Sequence, residues 1–366
     1  MDTTSQRELL PVPAECSITQ VMVDLAKALA GTGPALGFGD LKSTHVPHRV
    51  AVVIGTSGST GTPKEVGLSS SALLASARAS NKFLGATYGE KWSLLLPLTH
   101  IAGVNVLVRS LELGTFPMDL RNATEYPKAD FTAIVPTQLF RALNGDGALL
   151  EHLVNCRAVL VGGAALTDAI SSQAAELGIK IVSTYGMTET SGGCVYAGTP
   201  LNSVEVGITT EGVIKIKGPI LASTYLNDAA GWDRANIDGW FVTNDLGKME
   251  SGRLIIQGRI DDVIVSGGEK ISLSAVEAVL SSQFSEHEFS AFAVPDEEWG
   301  AALYVAIAGR VPVPTNEVNV YLTKRLGHSA KPKGFLTLAT LPLIGVGKVD
   351  KAALVQLAIQ ERQSPR

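Results

Sequence analysis

The chain has 366 residues, enough for two domains or one large domain with an appendage, and its 45% apolar content suits a globular protein. The net charge is −5, and lysines and arginines are scattered, which leaves no basic footprint for nucleic acid or an anionic membrane along the sequence. Cys16, Cys156 and Cys194 are odd in number and far apart, so they show neither a disulfide framework nor paired zinc-ligand spacing, and a reducing compartment is expected.

The first segment, MDTTSQRELLPVP, lacks the basic start and apolar core of a signal peptide. One amphipathic helix is predicted around Ile18 to Leu29, followed by a Gly/Pro-rich stretch. From Arg49 the chain alternates β-rich and helical runs. Strands are predicted at Val50–Ile54, Ser93–Leu96, Ala133–Val135, Ala158–Val161 and Ile179–Ser183, and helices at Ser70–Leu84, Gln138–Leu143 and Asp168–Leu177. Short apolar strands separated by helices argue for an α/β sheet with parallel pairs. The most apolar window, Trp92 to Val108, is broken by Pro97, Thr99, His100 and Asn105, so it reads as strand, loop and helix start and not as a membrane span. A cytoplasmic protein without membrane insertion is expected.

After Tyr185 the texture changes. Val204–Ile208, Val213–Lys217 and Trp240–Thr243, with turns at Glu211-Gly212 and Asp238-Gly239, suggest a small β-rich subdomain, and a hairpin turning at Ser251-Gly252 follows. Beyond Arg259 come Val263–Val265, helix Ser274–Ser281, strands Phe289–Val294 and Leu303–Ile307, and helix Asn316–Leu326, an order that suits a separate α+β domain.

The segment Ile54-Gly55-Thr56-Ser57-Gly58-Ser59-Thr60-Gly61-Thr62-Pro63-Lys64 packs three glycines, five hydroxyls and one lysine behind an apolar run. Glycines let backbone N–H groups turn around an anion, hydroxyls add donors, and the lysine supplies positive charge, so the loop suits a polyphosphate. It departs from the Walker pattern, because Thr62-Pro63-Lys64 follows the last glycine. The alternative, a flexible linker, needs neither the apolar strand before it nor the Pro-Lys ending.

Ser183-Thr184-Tyr185-Gly186-Met187-Thr188-Glu189-Thr190 ends another strand, where open α/β sheets place ligands. A tyrosine there suits a nucleobase, a threonine a phosphate and a glutamate Mg²⁺, although a structural turn alone would also account for it. Gly162-Gly163-Ala164-Ala165 offers a flat backbone face. Asp245 in DGWFVTNDLG and Arg259 in GRIDD suit a ribose, or else a turn and a surface ion pair. Lys348 in LPLIGVGKVD sits between a flexible loop and the last helix, either as a solvated lysine or as a cation delivered to a reacting phosphate.

The order TSGSTGTPK, STYGMTET, DGWFVTNDLG, GRIDDVIVSGGEKI, GVGKVDKAAL resembles the adenylate-forming superfamily of acyl-CoA synthetases, luciferases and peptide-synthetase adenylation domains, over about residues 50–355. Within it, Leu96-Pro97-Leu98-Thr99-His100-Ile101-Ala102-Gly103 and the short length are similar to the o-succinylbenzoate–CoA ligase branch of menaquinone biosynthesis, in its compact actinobacterial form. The resemblance implies the adenylate-forming enzyme fold. A large N-terminal domain of layered α/β sheets with a small β-rich subdomain would span 1–258, and a small mobile α+β domain would span 259–366, hinged near Asp261.

It also implies a two-step reaction with ATP, Mg²⁺ and coenzyme A. Thr56, Ser57, Gly58, Thr60, Gly61 and Lys64 would hold the β- and γ-phosphates. Gly163, Ala164 and Tyr185 would surround adenine, Thr188 would meet the α-phosphate, and Glu189 would hold Mg²⁺. Asp245 and Arg259 would bind ribose, and Lys348 would serve adenylation. Ser266, Gly267 and Gly268 would line the pantetheine path, and His100 would line or gate the acyl pocket. Asn105 and Arg109 are candidates for the second carboxylate of a dicarboxylic acid. Ligation of another aryl or medium-chain acid, or transfer to a carrier protein, stands as the alternative.

Three departures from the family pattern stand out. Asn244 replaces a glycine before the ribose aspartate, and the Lys348 segment keeps little beyond Gly-Lys. Only about fifty residues precede the phosphate loop, roughly a third of the family's usual number. A homodimer covering that gap is therefore expected.

Overall fold

The computed structural model describes residues 5–56, 63–164, 166, 168–284, 287–309, 313–344 and 348–363. The chain forms two compact units. The first comprises Met1–Leu166, Ser171–Thr243 and Lys248–Ile255, and the second Thr167–Ile170, Asn244–Gly247 and Ile256–Arg366.

In the first unit two sheets enclose helices. One sheet runs, edge to edge, through Thr224–Tyr225, Lys64–Ser69, Val50–Thr56, Ala35–Phe38, Gln6–Pro11 and His45–Pro47. The other runs through Thr199–Pro200, Gly192–Tyr196, Ile181–Met187, Ala158–Val161, Phe131–Ile134, Trp92–Leu94 and Met118–Asp119, parallel from Met118–Asp119 as far as Ile181–Met187. Helix Ser70–Leu84 touches Val50–Thr56 and Lys64–Ser69 of the first sheet and Gly192–Tyr196 of the second, and helix Ile101–Glu112 packs beside it. One apolar core, including Ile54, Leu73, Trp92, Val104, Phe131 and Tyr196, therefore runs through the layers.

Local chemistry explains the element ends. Ser69 caps Ser70–Leu84 by accepting from the Ala72 N–H at 3.1 Å, and Gly85 closes the helix at φ 60°. Helix Ile18–Ala30 ends at Gly31 in the same way.

The N-terminal region holds more than the expected single helix. Gln6–Pro11, Ala35–Phe38 and His45–Pro47 are strands, and Arg7 ties them to the body by donating to the carbonyls of Val50, Ala28 and Gly33. Ala35–Phe38 is buried on both faces, so it lacks the alternation that marks a half-buried strand. The first sheet is also mixed: Val50–Thr56 runs parallel to Ala35–Phe38 and antiparallel to Lys64–Ser69.

The small β-rich region pairs Glu205–Ile208 with Val213–Lys217 and Asn236–Ile237 with Trp240–Glu250. Its turns fall at the expected sites: Asp238 and Gly239 both have positive φ, as do Ser251 and Gly252.

The second unit is a sheet covered on both faces. Glu288–Asp296 and Gly300–Ala308 form its antiparallel centre, and Gly334–Leu338 adds in parallel. The period of two sorts the side chains. Ala291, Leu303 and Val305 pack with Val276 and Leu280 of helix Leu273–Gln283 and with Val318 of helix Thr315–Leu326. Phe292, Tyr304 and Ala306 face the other way, toward Leu354 and Ala358 of helix Lys351–Gln363.

Candidate active site

Val50 to Ile54 are fully buried, and the register of their strand sets Thr56 opposite Lys64. Ser57, Gly58, Thr60 and Gly61 lie outside the described residues. The strands that flank them are fixed closely. A Cβ on Gly55 would lie 2.7 Å from the Asp40 carbonyl, so only glycine allows this approach. The buried Glu65 carboxylate accepts from the Lys42 N–H at 2.5 Å and from the Ser43 hydroxyl. The Lys64 ammonium stands 4.5 Å from the centre of the Tyr225 ring.

Strand Ile181–Met187 leads into one 3₁₀ turn, Thr188–Thr190. At Gly186 the pairing with Gly192–Tyr196 shifts register, and a Cβ there would sit 2.1 Å from the Gly192 carbonyl. The turn is held from within. Thr190 Oγ1 accepts from the Met187 N–H at 2.9 Å and donates to the Gly192 carbonyl at 2.8 Å. Ser191, left-handed at φ 50°, donates to the Ile220 carbonyl at 2.7 Å. With the inner residues locked, Tyr185, Thr188 and Glu189 are left half-buried on the turn. Glu189 Oε1 accepts from the Tyr225 hydroxyl at 2.8 Å. Burial, and then the Glu189 charge, push the Tyr225 hydroxyl well above its ordinary pKa, so it remains a donor.

Gly163 follows strand Ala158–Val161 with φ 87°, and both it and Ala164 are exposed. His100 stands at the start of helix Ile101–Glu112 with its Nδ1 3.0 Å from Thr99 Oγ1. Gly103 lets that helix approach Pro97, whose carbonyl would lie 2.3 Å from any Cβ.

Asn105 and Arg109 are packed inside the protein, 1% and 3% exposed. Asn105 donates to the Ser191 carbonyl at 2.8 Å, and Arg109 donates to the Tyr196 hydroxyl at 3.0 Å with its guanidinium over Trp92. Both hold protein groups in place, which replaces the expected contact with a distal carboxylate.

In the second unit Arg259 lies between two carboxylates. It bonds Asp261 through Nε and Nη2, and it reaches Asp245 Oδ1 through Nη1 at 3.2 Å. Gly267 and Gly268, with φ 58° and 86°, form the two-residue turn between Val263–Ser266 and Glu269–Ser272. Lys348 pairs through its backbone with Ile344, while its side chain and residues 345–347 lie outside the described residues.

Tyr225 and Asn227 belong to this constellation but were not expected from sequence. The Asn227 side chain accepts from the Glu65 N–H at 3.1 Å and donates to the Pro63 carbonyl at 2.7 Å, so it brackets Lys64. Tyr225 ends a two-residue strand, Thr224–Tyr225, and Asn227 lies beyond it, so neither has a periodicity to find it by.

Among the described residues no three His, Cys, Asp or Glu side chains cluster as a metal cage. A lone carboxylate with one oxygen fixed suits Mg²⁺, which is commonly held by one or two carboxylates together with substrate phosphates. Among the described residues, too, no helix is long and apolar enough to cross a membrane.

Layered sheets with glycine-bearing turns at their strand ends define a nucleotide-dependent enzyme scaffold, and the chain belongs to the AMP-binding enzyme family, which residues 7–226 match. It is 37% identical to a Mycobacterium tuberculosis protein named as a probable 2-succinylbenzoate–CoA ligase, over 95% of this chain and 97% of the other. It is 29% identical to the 2-succinylbenzoate–CoA ligase of Listeria monocytogenes, over 84% of this chain and 70% of that one. Among solved structures, the o-succinylbenzoate CoA synthetase of Bacillus subtilis in complex with its acyl-adenylate superposes with a TM-score of 0.73 at 23% identity, covering 98% of this chain and 83% of that one. An Escherichia coli counterpart gives a TM-score of 0.69 at 26% identity, covering 96% and 82%. The adenylate-forming fold expected from sequence is borne out.

Proposed function

We propose that this chain ligates o-succinylbenzoate to coenzyme A at the expense of ATP, as a step of menaquinone biosynthesis. The observation that carries this reading is the end-to-end match to the Mycobacterium tuberculosis relative, 95% of one chain on 97% of the other. In the first step a substrate carboxylate oxygen attacks the α-phosphorus of ATP and pyrophosphate leaves. In the second the CoA thiolate attacks the acyl carbonyl, forming the thioester and releasing AMP.

Each residue takes a part in this reading. Thr56, Lys64 and the hydroxyls and backbone between them grip the β- and γ-phosphates, with negative charge matched by donors and one ammonium. Tyr185, Gly163 and Ala164 take the adenine, Thr188 the α-phosphate, and Asp245 and Arg259 the ribose. Glu189 holds Mg²⁺, which when bound neutralises phosphate charge. Lys348 adds positive charge where negative charge develops during adenylation. Gly267 and Gly268 border the path of the pantetheine arm, Gly268 with open space where a Cβ would stand and Gly267 against the Trp299 ring, and His100 borders the acyl group. Residues 259–366 move about Asp261 between the two steps. The enzyme is cytoplasmic in this reading and acts as a homodimer; light scattering that finds only monomer would remove the latter.

Pyrophosphate release with a panel of acids, with and without CoA, tests the reading. o-Succinylbenzoate is expected to give pyrophosphate and, with CoA, the thioester. Turnover of benzoates or fatty acids but not of o-succinylbenzoate sinks the substrate assignment. Acid-dependent pyrophosphate release that never yields a CoA thioester points to a carrier protein as acceptor.

A further inference from the structure

The strap from Ala222 to Asn227 is bonded on both sides to groups that the proposed function uses. On one side Ser223 and Leu226 donate backbone N–H groups to the carbonyls of Gly67 and Glu65, and Asn227 brackets Lys64 through Pro63 and Glu65. On the other, the Ala222 N–H donates to the Glu189 carbonyl at 2.8 Å and the Tyr225 hydroxyl to its carboxylate at 2.8 Å. Tyr225 is only 1% exposed. Its ring is fixed edge-on by Trp232 at 5.3 Å, which is stacked in turn on Phe241 at 5.6 Å.

One side chain thus meets both ends of the charge pattern. The ring face receives the Lys64 ammonium, an attraction between a cation and the negative face of a π system. The hydroxyl fixes Glu189 Oε1 and sets the orientation of its carboxylate. A lysine and a glutamate free to approach each other would form an ion pair that an incoming nucleotide must break. The tyrosine gives each a separate partner, so both charges keep their places for phosphate and metal.

We propose that Tyr225 is a positioning residue for metal-bound ATP, acting on the metal through Glu189 and on the phosphates through Lys64. The inference rests on the proposed function in taking Glu189 as the metal carboxylate. Partners that orient a ligating carboxylate commonly contribute 10- to 100-fold in metal affinity.

The test is equilibrium ATP binding by titration calorimetry, with Mg²⁺ and with EDTA, alongside a thermal melt. Tyr225→Phe keeps the ring over Lys64 and removes only the hydroxyl. It is expected to weaken binding of Mg²⁺–ATP by about tenfold while metal-free ATP binds as in the wild type. Glu189→Gln is expected to show a metal-selective loss at least as large, and the double variant to lose no more than Glu189→Gln alone, because Tyr225 acts on the metal through Glu189. Tyr225→Leu, which also removes the ring, is expected to weaken metal-free ATP as well. Wild-type Mg²⁺–ATP affinity in Tyr225→Phe overturns the proposal. So does an equal loss with and without Mg²⁺, which is what a purely structural tyrosine would give, and so does a wild type indifferent to Mg²⁺. Failure of o-succinylbenzoate to react leaves these binding results untouched, so the two readings fail separately.

Discussion

Arg259 and Asp261 meet as a fork: Nε donates to Oδ1 at 2.7 Å and Nη2 to Oδ2 at 2.9 Å. The third nitrogen reaches Asp245 at 3.2 Å, so the pair proposed for ribose and the proposed hinge residue share one guanidinium. Its pKa is raised above the usual arginine value, chiefly by the hydrogen bond to Asp261. A planar fork serves both carboxylates at once, whereas a lysine is a point charge that cannot pair in this bidentate way. Arg259→Lys is therefore expected to raise the KM for ATP by about tenfold or more, since a hydrogen bond to a charged group contributes about 1.5–3 kcal/mol. An unchanged KM in the pyrophosphate-release assay would mean that charge alone suffices there.

Lys348 supplies a second test of the division of labour. Adenylation builds negative charge at phosphorus, and thioester formation does not require that cation. Lys348→Ala is expected to lower the rate of pyrophosphate release by about 10²- to 10³-fold, the usual cost of losing one electrostatic stabiliser. Thioester formation from synthetic acyl-adenylate should proceed at the wild-type rate. Equal loss in both half-reactions would refute the assignment.

What the sequence made legible follows from the strength of each local signal. Helix Ser70–Leu84 has a serine cap, a closing glycine and a long apolar period, and it forms at the predicted residues. The central strands were found as short continuous apolar runs, and Asp238-Gly239 and Ser251-Gly252 announced their turns. Gln6–Pro11 was missed because its residues are mostly exposed and it is held by strand neighbours distant in sequence. Helix Ile101–Glu112 misled in another way. It is buried from Gly103 to Ser110 without a break, so no face of it is left for substrate at Asn105 and Arg109. The motif residues were legible as motifs, but Tyr225 and Asn227 act through partners about 36 to 164 positions away, which no local pattern encodes.

The cysteines give a prediction about reactivity. Cys156 and Cys194 are buried, and burial pushes both thiols up to about 12, while Cys16 is half-buried. At about pH 8 a thiol of that pKa is ionised to roughly one part in ten thousand, and only the thiolate reacts. Iodoacetamide on native protein is expected to add a single label, at Cys16, and three labels in denaturant. A second native label found by intact mass would show that one of the buried sites opens on the labelling timescale.

Lys351 anchors the start of the last helix between two carboxylates, 2.9 Å from Asp262 Oδ1 and 3.5 Å from Glu277 Oε1. Glu277 also accepts from the Ala291 N–H at 2.8 Å, and Asp262 from the Ser274 N–H at 2.8 Å, so both anions are fixed. The Glu277 pKa is raised, mainly by burial, with Lys351 opposing the rise. Removing the cation therefore lifts it further. For a carboxyl raised above its unfolded value, stability is fully present below that value and is lost as pH climbs through the folded one. Lys351→Met should thus cost less at about pH 5 than at about pH 8. Breaking a buried pair costs about 3–5 kcal/mol and an exposed one about 0–1, and with the Lys351 side chain 40% exposed about 1–2 kcal/mol is expected at the higher pH. Adding Glu277→Gln should recover part of the loss at about pH 8 and almost none at about pH 5. Urea unfolding of the variants at both pH values reads these differences directly. A deficit independent of pH would mean that Lys351 acts through packing of its methylene stem, with no part for its charge.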